Sequence, residues 1–335
     1  MTFADQRELT RICDALNADV VRPTGRIQSL WSGYGELYRV TVHKQGHPDR
    51  DLVVKSVRPP SHADHPRGWN GSLGHARKLR SYFVESTWYR TFSHRFAAVA
   101  PMPEAVLLHE SEEHFLIVLS DLDSDGFSKR LQSLENNDLS PYLTWLANFH
   151  SKGLGVATDG LWDPGTYWHL ETRPDELAAI AEPRLKRHAA AIDKRLRKAR
   201  FQTVVHGDAK LANFCLNDSD ATVAAVDYQY VGTGVGTQDL AYFLSSAVSP
   251  ESCARHHDRY LAMYFDALSV AISRDHPQLE ASTIIEEWRD LYRWAWADFV
   301  RFLAGWAPDH YKLDTYSLSL TRQVLDFIDA SDAQS

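Results

Sequence analysis

The side chains best suited to chemistry lie between residues 208 and 227. Asn213 follows Asp208 by five residues, and Asp227 follows it by nineteen. A carboxylate such as Asp208 can accept the proton of a hydroxyl group. An amide and a second carboxylate suit a hard cation, so Asn213 and Asp227 are candidate Mg²⁺ ligands. Phosphoryl transfer combines these two requirements, because it depends on positioning the reactants and neutralising phosphate charge.

Short β-rich segments surround these residues. A short apolar run at 203–205 precedes His206-Gly207-Asp208, and a second β-rich run covers 222–226. A turn-forming cluster at 217–220 separates the two. The pattern predicts strand, loop, strand, turn and strand, with Asp227 at the end of the last strand. A surface loop that holds these residues by chance is the alternative.

Two segments carry a family resemblance. The sequence HGDAKLANFC begins at His206, and VAAVDYQYVGTGVGTQDLAYFL begins at Val223. Both resemble the aminoglycoside phosphotransferase and choline kinase superfamily, in particular its ecdysteroid-kinase-like branch. The resemblance implies an ATP-dependent kinase that transfers the γ-phosphate to a hydroxyl of a small molecule, with Asp208 as base and Asn213 and Asp227 as Mg²⁺ ligands. Amino alcohols, steroid-like alcohols, sugars and antibiotics all fit as acceptors.

The same resemblance implies an α+β, two-lobed, protein-kinase-like fold. Residues 1–118 would form an N-lobe, with a five-stranded antiparallel sheet and one main helix that cover the nucleotide. Residues 119–335 would form a mainly helical C-lobe with the catalytic loop, the metal site and the acceptor pocket. ATP and Mg²⁺ are the expected cofactors.

A glycine-bearing turn comes early in the chain. Gly33, Tyr34 and Gly35 lie between predicted strands at 28–31 and 37–42. Backbone N–H groups can approach phosphates closely where no Cβ intervenes, so this turn is a candidate nucleotide-binding element. Two glycines in a hairpin also fit a plain β-turn, and the third glycine of the kinase loop is missing.

Lys55 and Glu85 are charged residues in apolar surroundings. Lys55 is in a β-branched strand, and Glu85 is on the aromatic face of a helix predicted over 75–93. Each needs a partner if it is buried. The resemblance implies that they pair with each other and that Lys55 contacts the α- and β-phosphates. The alternatives are a solvent-facing lysine on an edge strand, and a local pairing of Glu85 with Tyr89 or Arg90.

The segment LIVLSDL ends a predicted hairpin in the first part of the chain. In the family, the crossing from this strand to the linker binds adenine through backbone groups. The resemblance therefore places the hinge and part of the nucleotide site at Val118, Leu119, Ser120 and Asp121.

His206 and Asp239 are expected to support the catalytic loop. In the family, the Asp of the DLAYFL segment anchors that loop by hydrogen bonds, and here it is Asp239. An acid favoured by the helix dipole is the alternative. The glycine-rich run at 232–236 by itself suggests a dinucleotide fold, but a helix follows it without a further strand that ends in an acid.

The acceptor site is expected among the C-terminal helices. In a helix predicted over 278–304, Trp294 and Asp298 are four residues apart and lie off the main apolar face. An aromatic residue beside an acid suits a cationic acceptor, and the aromatics without the acid would suit a steroid or another flat apolar alcohol, so both are candidate acceptor-binding residues. Core packing is the alternative. The role of the aromatic stretch at 162–169 is left open.

Composition limits the classes of function. The 335-residue chain has a formal net charge of −8, which argues against non-specific nucleic-acid binding. Three widely spaced cysteines, no signal-peptide pattern and no apolar run of membrane-spanning length predict a cytoplasmic protein that binds no membrane. The expected partner is a small-molecule hydroxyl acceptor. Oligomeric state stays open, as do two rival classes, a nucleotide-binding pseudokinase and a metal-dependent hydrolase.

Overall fold

The computed structural model describes residues 4–30, 33–59, 72–111 and 114–333. The chain divides into two compact units. The first combines Met1–His94 with Met102–Lys129, and the second combines Arg95–Pro101 with Arg130–Ser335. The predicted α+β class is confirmed, with a sheet in the first unit and mainly helices in the second. The expected lobe boundary after residue 118 stays a prediction.

A five-stranded antiparallel sheet forms most of the first unit, as predicted. Its strands are β1 (Val20–Ser29), β2 (Gly35–His43), β3 (Arg50–Val57), β4 (Ala105–Glu110) and β5 (Phe115–Ser120). The spatial order is β1-β2-β3-β5-β4, so β3 is the central strand. Alternation along β2 buries Tyr38, Val40 and Val42, and α1 (Gln6–Leu16) packs Leu9 and Ile12 on the same cluster.

Strand β1 is longer than the sequence pattern predicts. The expected strand at 28–31 in fact begins at Val20, and it runs through Pro23 and Gly25. Register shifts against β2 occur between Pro23 and Gly25 and again between Arg26 and Gln28. Such irregularities let an edge strand contain a proline and a glycine, which otherwise mark the end of a strand.

Residues 72–96 form one helical segment. It consists of α2 (Ser72–Thr87), a π-helical turn at Trp88–Phe92 and α3 (Ser93–Phe96). This agrees with the helix predicted over 75–93. Tyr82, Glu85 and Trp88 are buried, whereas Phe83 is exposed. Helical spacing therefore places Glu85 on the buried face, where a carboxylate needs a partner.

The second unit is mainly helical. Its helices are α4 (Ser140–Gly153), α5 (Pro174–Ala179), α6 (Pro183–Arg197), α7 (Gly236–Ala247), α8 (Pro250–Asp275), α9 (Ala281–Trp306) and α10 (Thr315–Asp332). Two small antiparallel sheets pair β6 (Thr203–Val205) with β9 (Gly232–Gly234) and β7 (Phe214–Asn217) with β8 (Thr222–Ala225). Within the described ranges, no helix has both the length and the apolar character that a membrane crossing needs.

Helix α9 is the centre of the second unit. It packs against α5, α6, α7, α8 and α10. Every side chain from Trp294 to Leu303 is buried. A helix that is covered on all sides has no free face in this region, so helical periodicity cannot separate core positions from cleft positions there.

The basic helix α6 is tied to its neighbours by ion pairs. Arg184 contacts Asp326 and Asp329 of α10, and Arg195 contacts Asp290 of α9. These ion pairs neutralise part of the positive charge of α6 within the fold. The basic composition of α6 therefore does not require a nucleic-acid ligand.

Candidate active site

The catalytic-type loop, residues 206–213, begins where β6 ends. Gly207 has a φ of +77°, and a Cβ at this position would lie 2.1 Å from the carbonyl oxygen of Tyr230. Only glycine accepts both the left-handed backbone and this close approach. The loop then continues to Asp208 and a 3₁₀ turn at Leu211–Asn213. The local sequence thus turns the chain sharply and presents Asp208 beside Asn213.

Asp239, in the first turn of α7, anchors this loop. Its Oδ2 accepts a hydrogen bond from the His206 backbone N–H at 2.6 Å, and its Oδ1 accepts one from the Gly207 N–H at 2.9 Å. His150 Nε2 lies 3.1 Å from Oδ2. Asp239 is completely buried, and the positive end of the helix dipole favours its charge. The anchoring contacts expected from the sequence are present, and their importance for activity stays a prediction.

His206 holds the loop against the strand that leads to Asp227. Its Nε2 lies 3.1 Å from the carbonyl oxygen of Val226, and its Nδ1 accepts a hydrogen bond from the Asp208 N–H at 3.3 Å. Burial lowers the pKa of His206, although the carboxylates of Asp239 and Asp208 oppose part of this shift. A neutral imidazole satisfies both contacts, which is a positioning role.

Asp208 and Asn213 are in direct contact. Asn213 Nδ2 donates to the backbone carbonyl of Asp208 at 2.8 Å and to its Oδ2 at 3.1 Å. The Asp208 side chain is buried, with 6% of its surface exposed. The contacts from Asn213 and Lys210 both use Oδ2, and the Tyr242 hydroxyl also forms a hydrogen bond with the Asp208 carboxylate. A carboxylate held in this way is positioned to receive a proton from a hydroxyl group.

Asp227 lies next to this pair. The Val226 N–H donates to the carbonyl oxygen of Asn213 at 2.9 Å, which brings the start of Asp227 to the 3₁₀ turn. Asp227 itself has a φ of +71°, an unusual conformation for a non-glycine residue. Its Oδ1 accepts a hydrogen bond from Gln229 Nε2 at 2.6 Å. The chain therefore fixes the direction in which this carboxylate points.

These residues fit a Mg²⁺ ion that takes its other ligands from phosphate and water. The Nδ2 of Asn213 is used by Asp208, and within the described residues its Oδ1 accepts no hydrogen bond. An amide oxygen and a carboxylate are hard oxygen ligands. No group of three or more His, Cys, Asp or Glu side chains in the described ranges could hold a metal by itself. The role of Asn213 and Asp227 as metal ligands stays a prediction.

Lys210 is a site residue that the sequence reasoning missed. Its Nζ donates to Asp208 Oδ2 at 2.9 Å. Burial acts to lower the pKa of Lys210, but the carboxylates of Asp208 and Asp227 outweigh burial and raise it. The signal was present in the sequence, because a lysine two residues after a candidate base can reach back to it. Lys210 neutralises part of the charge that Asp208 and Asp227 concentrate here.

Lys312 is a second missed residue. It lies between α9 and α10, is 8% exposed, and its ammonium faces the rings of Tyr242 and Phe299. Burial lowers the pKa of Lys312 to about 8, while the Asp208 carboxylate acts in the opposite direction. No sequence pattern around residue 312 indicates this placement, because only the packing of α9 and α10 brings the loop to Asp208.

In the first unit, Lys55 and Glu85 form an ion pair. Lys55 Nζ donates to Glu85 Oε2 at 2.6 Å, and the two residues are 6% and 1% exposed. Lys55 is on the central strand β3, opposite Leu37 in β2 and Ile117 in β5, so it is not on an edge strand. The expected contact is therefore present. Its function in binding nucleotide phosphates stays a prediction.

The glycine-bearing turn joins β1 to β2. A Cβ on Gly35 would lie 1.9 Å from the carbonyl oxygen of Ser56, so the backbones of β2 and β3 meet too closely for any side chain. Gly33 has a φ of +72°. Tyr34 is buried between them, and its hydroxyl lies 2.6 Å from His75 Nδ1. The turn is a tight backbone element, and its contact with phosphates stays a prediction.

The expected hinge residues follow one another at the end of β5. Val118 and Leu119 are buried in the sheet. The Ser120 hydroxyl accepts a hydrogen bond from the Glu104 N–H at 3.1 Å. Asp121 is buried and pairs with Arg39 at 2.6 Å. These contacts fix the backbone of this segment, as a backbone-mediated adenine site requires, and its role stays a prediction.

Trp294 and Asp298 differ from the expectation that they line an open cleft. Each is only 3% exposed. Asp298 accepts hydrogen bonds from Trp168 Nε1 at 3.0 Å and from Arg301 at 2.7 Å. The reason is that neighbouring helices cover α9 on all sides. Asp298 does line a cavity of about 290 Å³ that Asp193 also lines. Acceptor binding by Trp294 and Asp298 stays a prediction, without the exposed face that suggested it.

The aromatic stretch at 162–169 packs against the catalytic-type loop. Its backbone donates from Tyr167 N–H to the Gly207 carbonyl at 3.1 Å and from Thr166 N–H to the Tyr230 carbonyl at 3.2 Å. Trp162 Nε1 donates to the Gln229 carbonyl at 2.8 Å. The stretch thus forms a wall that holds both ends of the segment from Gly207 to Tyr230.

Several solved structures of other proteins align with this chain. An amicoumacin kinase solved with AMP-PNP, Ca²⁺ and Ami aligns with a TM-score of 0.53 and 12% identity, over 98% of this chain and 94% of that chain. A choline kinase from Cryptosporidium parvum Iowa II aligns with a TM-score of 0.54 and 10% identity, over 98% and 97%. An aminoglycoside-3'-phosphotransferase of type VIII aligns with a TM-score of 0.44 and 16% identity, over 88% and 100%. No curated protein matches the sequence.

The fold is therefore the two-lobed, protein-kinase-like fold of the small-molecule kinases, as the sequence predicted. Residues 166–274 match the ecdysteroid kinase-like family. That match covers the catalytic-type loop, Asp227 and Asp239, and it confirms the family resemblance. The similarity to this family covers residues 166–274, and the rest of the chain is matched at the level of the fold.

Proposed function

We propose that the protein is an ATP-dependent small-molecule kinase that transfers the γ-phosphate to a hydroxyl group of its acceptor. The observation that carries this proposal is the geometry of the catalytic-type loop. Asp239 holds the loop backbone, and Asn213 and Lys210 hold Oδ2 of Asp208. The arrangement positions the Asp208 carboxylate to accept the hydroxyl proton as a general base. The kinase-like fold supports the same conclusion.

The residues of the first unit would bind the nucleotide. The buried ion pair fixes the ammonium of Lys55, which would contact the α- and β-phosphates. The turn of Gly33, Tyr34 and Gly35 would cover the phosphates through its backbone N–H groups. Residues 118–121 would bind the adenine through backbone groups.

Asn213 and Asp227 would hold Mg²⁺. When bound, the ion neutralises charge on the β- and γ-phosphates. The chain contributes the directions of the two side chains, because Asp208 orients Asn213 and Gln229 orients Asp227. The amicoumacin kinase was solved with a nucleotide analogue and Ca²⁺, which supports a nucleotide and a divalent cation as cofactors here.

The proposal predicts phosphate transfer that depends on Asp208. The protein is incubated with Mg·ATP and a panel of amino alcohols, steroid-like alcohols, sugars and antibiotics, and phosphorylated products are detected by mass spectrometry. Asp208→Asn should lower kcat by roughly 10²–10⁴-fold because it removes the base, and it should leave ATP affinity nearly unchanged. Asp266→Asn, the same change at an exposed position, is the matched control.

Two outcomes would contradict this function. Binding of ATP without transfer to any hydroxyl compound would favour the pseudokinase class. Turnover that is equal in Asp208→Asn and the wild type would remove Asp208 from the reaction. No specific observation favours the metal-dependent hydrolase, since the described ranges hold no cluster of three metal-ligating acids, histidines or cysteines. We propose that the reaction takes place in the cytoplasm and involves neither nucleic acid nor a membrane.

A further inference from the structure

The loop between α9 and α10 holds Lys312 in a fixed position. Its backbone N–H donates to His310 Nδ1 at 3.2 Å, and its carbonyl accepts a hydrogen bond from Ser317 Oγ at 2.8 Å. Ser317 is fully buried in the first turn of α10, where it also forms a reciprocal cap with Asp314. The backbone of Lys312 is therefore part of the helix-capping structure.

The side chain of Lys312 lies among aromatic rings. Its Nζ is 4.8 Å from the ring centroid of Tyr242, 5.6 Å from that of Phe299 and 5.9 Å from that of Tyr311. These distances are those of cation–π contacts. In the described part of the chain, Nζ makes no hydrogen bond and no ion pair, and Lys312 is 8% exposed. A buried ammonium in this position has no counter-charge in direct contact within the described part of the chain.

This ammonium belongs to the surroundings of the candidate base. The Asp208 carboxylate acts to raise the pKa of Lys312, and the neighbouring Lys210 acts to lower it. The same carboxylate contributes to raising the pKa of Tyr242, after burial, which is the main cause. His310 is the other titratable neighbour, and the charge of Lys312 adds to burial in lowering its pKa. Asp208 already pairs with Lys210, so it does not serve as the ion-pair partner of Lys312.

Aromatic faces compensate an ammonium for only part of its lost hydration. An anion placed against Nζ would supply the rest. The wall around Lys312 is apolar, because Tyr242 and Phe299 form one buried cluster with Trp168, Phe302 and Leu303. Such a wall suits the body of an organic acceptor better than a triphosphate. Lys55 and Mg²⁺ are the groups assigned to the nucleotide.

We propose that Lys312 binds an anionic group of the acceptor, so that the substrate is a hydroxyl compound that also carries a carboxylate, a sulfate or a phosphate. This inference rests on the proposed kinase function and specifies its acceptor. The rings of Tyr242 and Phe299 would otherwise suit an ammonium ligand, and the chain's own ammonium occupies them. The site therefore selects against cationic acceptors.

The test compares acceptors that differ only in charge. Several skeletons are each prepared in three forms, for example 4-(hydroxymethyl)benzoate, 4-(hydroxymethyl)benzamide and 4-(hydroxymethyl)benzylamine. A second anionic series replaces the carboxylate by sulfate or phosphate and identifies the preferred anion. Affinity is measured by isothermal titration without nucleotide. The wild type should bind an anionic form at least about tenfold more tightly than the matching amide, and the amine most weakly.

Substitution of Lys312 should remove this preference. Lys312→Met keeps the length of the side chain and removes a buried charge, so the protein should still fold. Its affinity for the anionic form should fall to that for the amide, whereas Lys312→Arg should retain most of the preference. Lys198→Met, the same change at an exposed position of the second unit, should leave all affinities unchanged.

The results separate this inference from the proposed function. Equal affinity for the three charge forms, tighter binding of the amines, or no binding of any anionic form would overturn the assignment of Lys312. The same conclusion follows if Lys312→Met keeps the wild-type preference. Anion binding through Lys312 without phosphate transfer to any hydroxyl would instead sustain the anion site and refute the kinase. Phosphorylation of amines as well as anions would refute the anion site alone.

Discussion

At the scale of single residues, the candidate site contains several buried charges. Lys55, Asp208, Asp239 and Lys312 are each less than 10% exposed. A buried charge is tolerated when hydrogen bonds or an opposite charge replace its water. Lys55 pairs with Glu85, and Asp208 contacts Asn213 and Lys210. Asp239 accepts hydrogen bonds from backbone N–H groups. Lys312 has no such partner in direct contact among the described residues. Two predictions at this scale concern Lys55 and Lys312.

The first prediction concerns the Lys55–Glu85 pair. Lys55→Met and Glu85→Gln each break the same contact, so their effects on affinity for an ATP analogue and on kcat/KM should not add. A double-mutant cycle should give a coupling free energy of at least about 1 kcal/mol. Coupling near zero in both measurements would mean that the pair does not act as a unit in nucleotide binding.

The second prediction concerns the pH dependence of stability through Lys312. Burial depresses its pKa in the folded protein from the ordinary 10.5 to about 8. Below pH 8 both the folded and unfolded states carry the charge, and the folded state is penalised in full. Between pH 8 and 10.5 the unfolded state binds more protons, so this penalty decreases as pH rises. Burial still lowers the pKa of His310 when the Lys312 charge is removed, so this imidazole is mainly neutral in both proteins at pH 7 and above.

Lys312→Met should therefore stabilise the protein at pH 7, and the gain should shrink from pH 8 upward. Urea unfolding of the wild type and the mutant at pH 7, 8, 9 and 10 measures the difference. Lys198→Met should show no such trend, because Lys198 is exposed. A destabilised mutant at pH 7, or a gain that grows with pH, would contradict the buried, unpaired state of Lys312.

At the scale of elements, the catalytic-type loop depends on contacts from three other segments. Helix α7 supplies Asp239, the stretch at 162–169 supplies backbone hydrogen bonds, and the segment after β8 brings the Tyr230 carbonyl close to Gly207. The loop is short, so its shape comes from these segments more than from its own residues. Gly207 is the position where this dependence is easiest to measure.

Gly207→Ala should destabilise the protein more than Gly155→Ala. Both glycines have positive φ, +77° and +66°, so both alanines incur a left-handed backbone penalty of about 1–2 kcal/mol. A Cβ at Gly207 would also overlap the Tyr230 carbonyl at 2.1 Å, whereas no atom lies within 4 Å at Gly155. Overpacking adds about 1–3 kcal/mol.

Denaturant unfolding of both variants measures this difference in stability. Measurement of kcat shows whether each substitution also affects catalysis. Gly207→Ala should also lower kcat, because the loop that carries Asp208 must move to relieve the overlap. Gly155→Ala should retain wild-type kcat. Equal destabilisation by the two alanines would show that the Tyr230 carbonyl yields easily and that the loop is not held tightly.

At the scale of the whole molecule, ligand binding should be visible as global stability. A ligand that binds only the folded protein stabilises it by about 2.7 kcal/mol at a concentration of 100 times Kd. Mg²⁺ with a non-hydrolysable ATP analogue should raise Tm of the wild type, and EDTA should remove most of the increase. Asp227→Ala should lose the Mg²⁺-dependent part, because it removes the main proposed metal ligand.

The control for this prediction is Asp266→Asn, which should respond to Mg²⁺ and nucleotide like the wild type. An unchanged Mg²⁺-dependent rise of Tm in Asp227→Ala would exclude Asp227 as the metal ligand. A rise in Tm that is independent of Mg²⁺ in the wild type would exclude the metal site itself.

The sequence alone determined the local part of the site. Asp208, Asn213 and Asp227 lie within 20 residues, and the paired strands β7 and β8 with the turn between them bring the chain back to Asn213 just before Asp227. Local sequence patterns predict the order of strand, loop, strand and turn over such distances, whereas the shape of the loop itself depends on Asp239 and the stretch at 162–169. The five-stranded sheet and the helical second unit were expected from the family resemblance, and apolar periodicity located several of their helices and strands.

Only the tertiary structure decided which charges are buried and beside what. Trp294 and Asp298 lie off the main apolar face of α9, yet neighbouring helices bury both. Lys312 has no local pattern, and the packing of α9 and α10 brings it to the aromatic cluster near Asp208. Burial depends on the elements that cover a residue, and a single helix's periodicity carries no information about how many of its faces are covered.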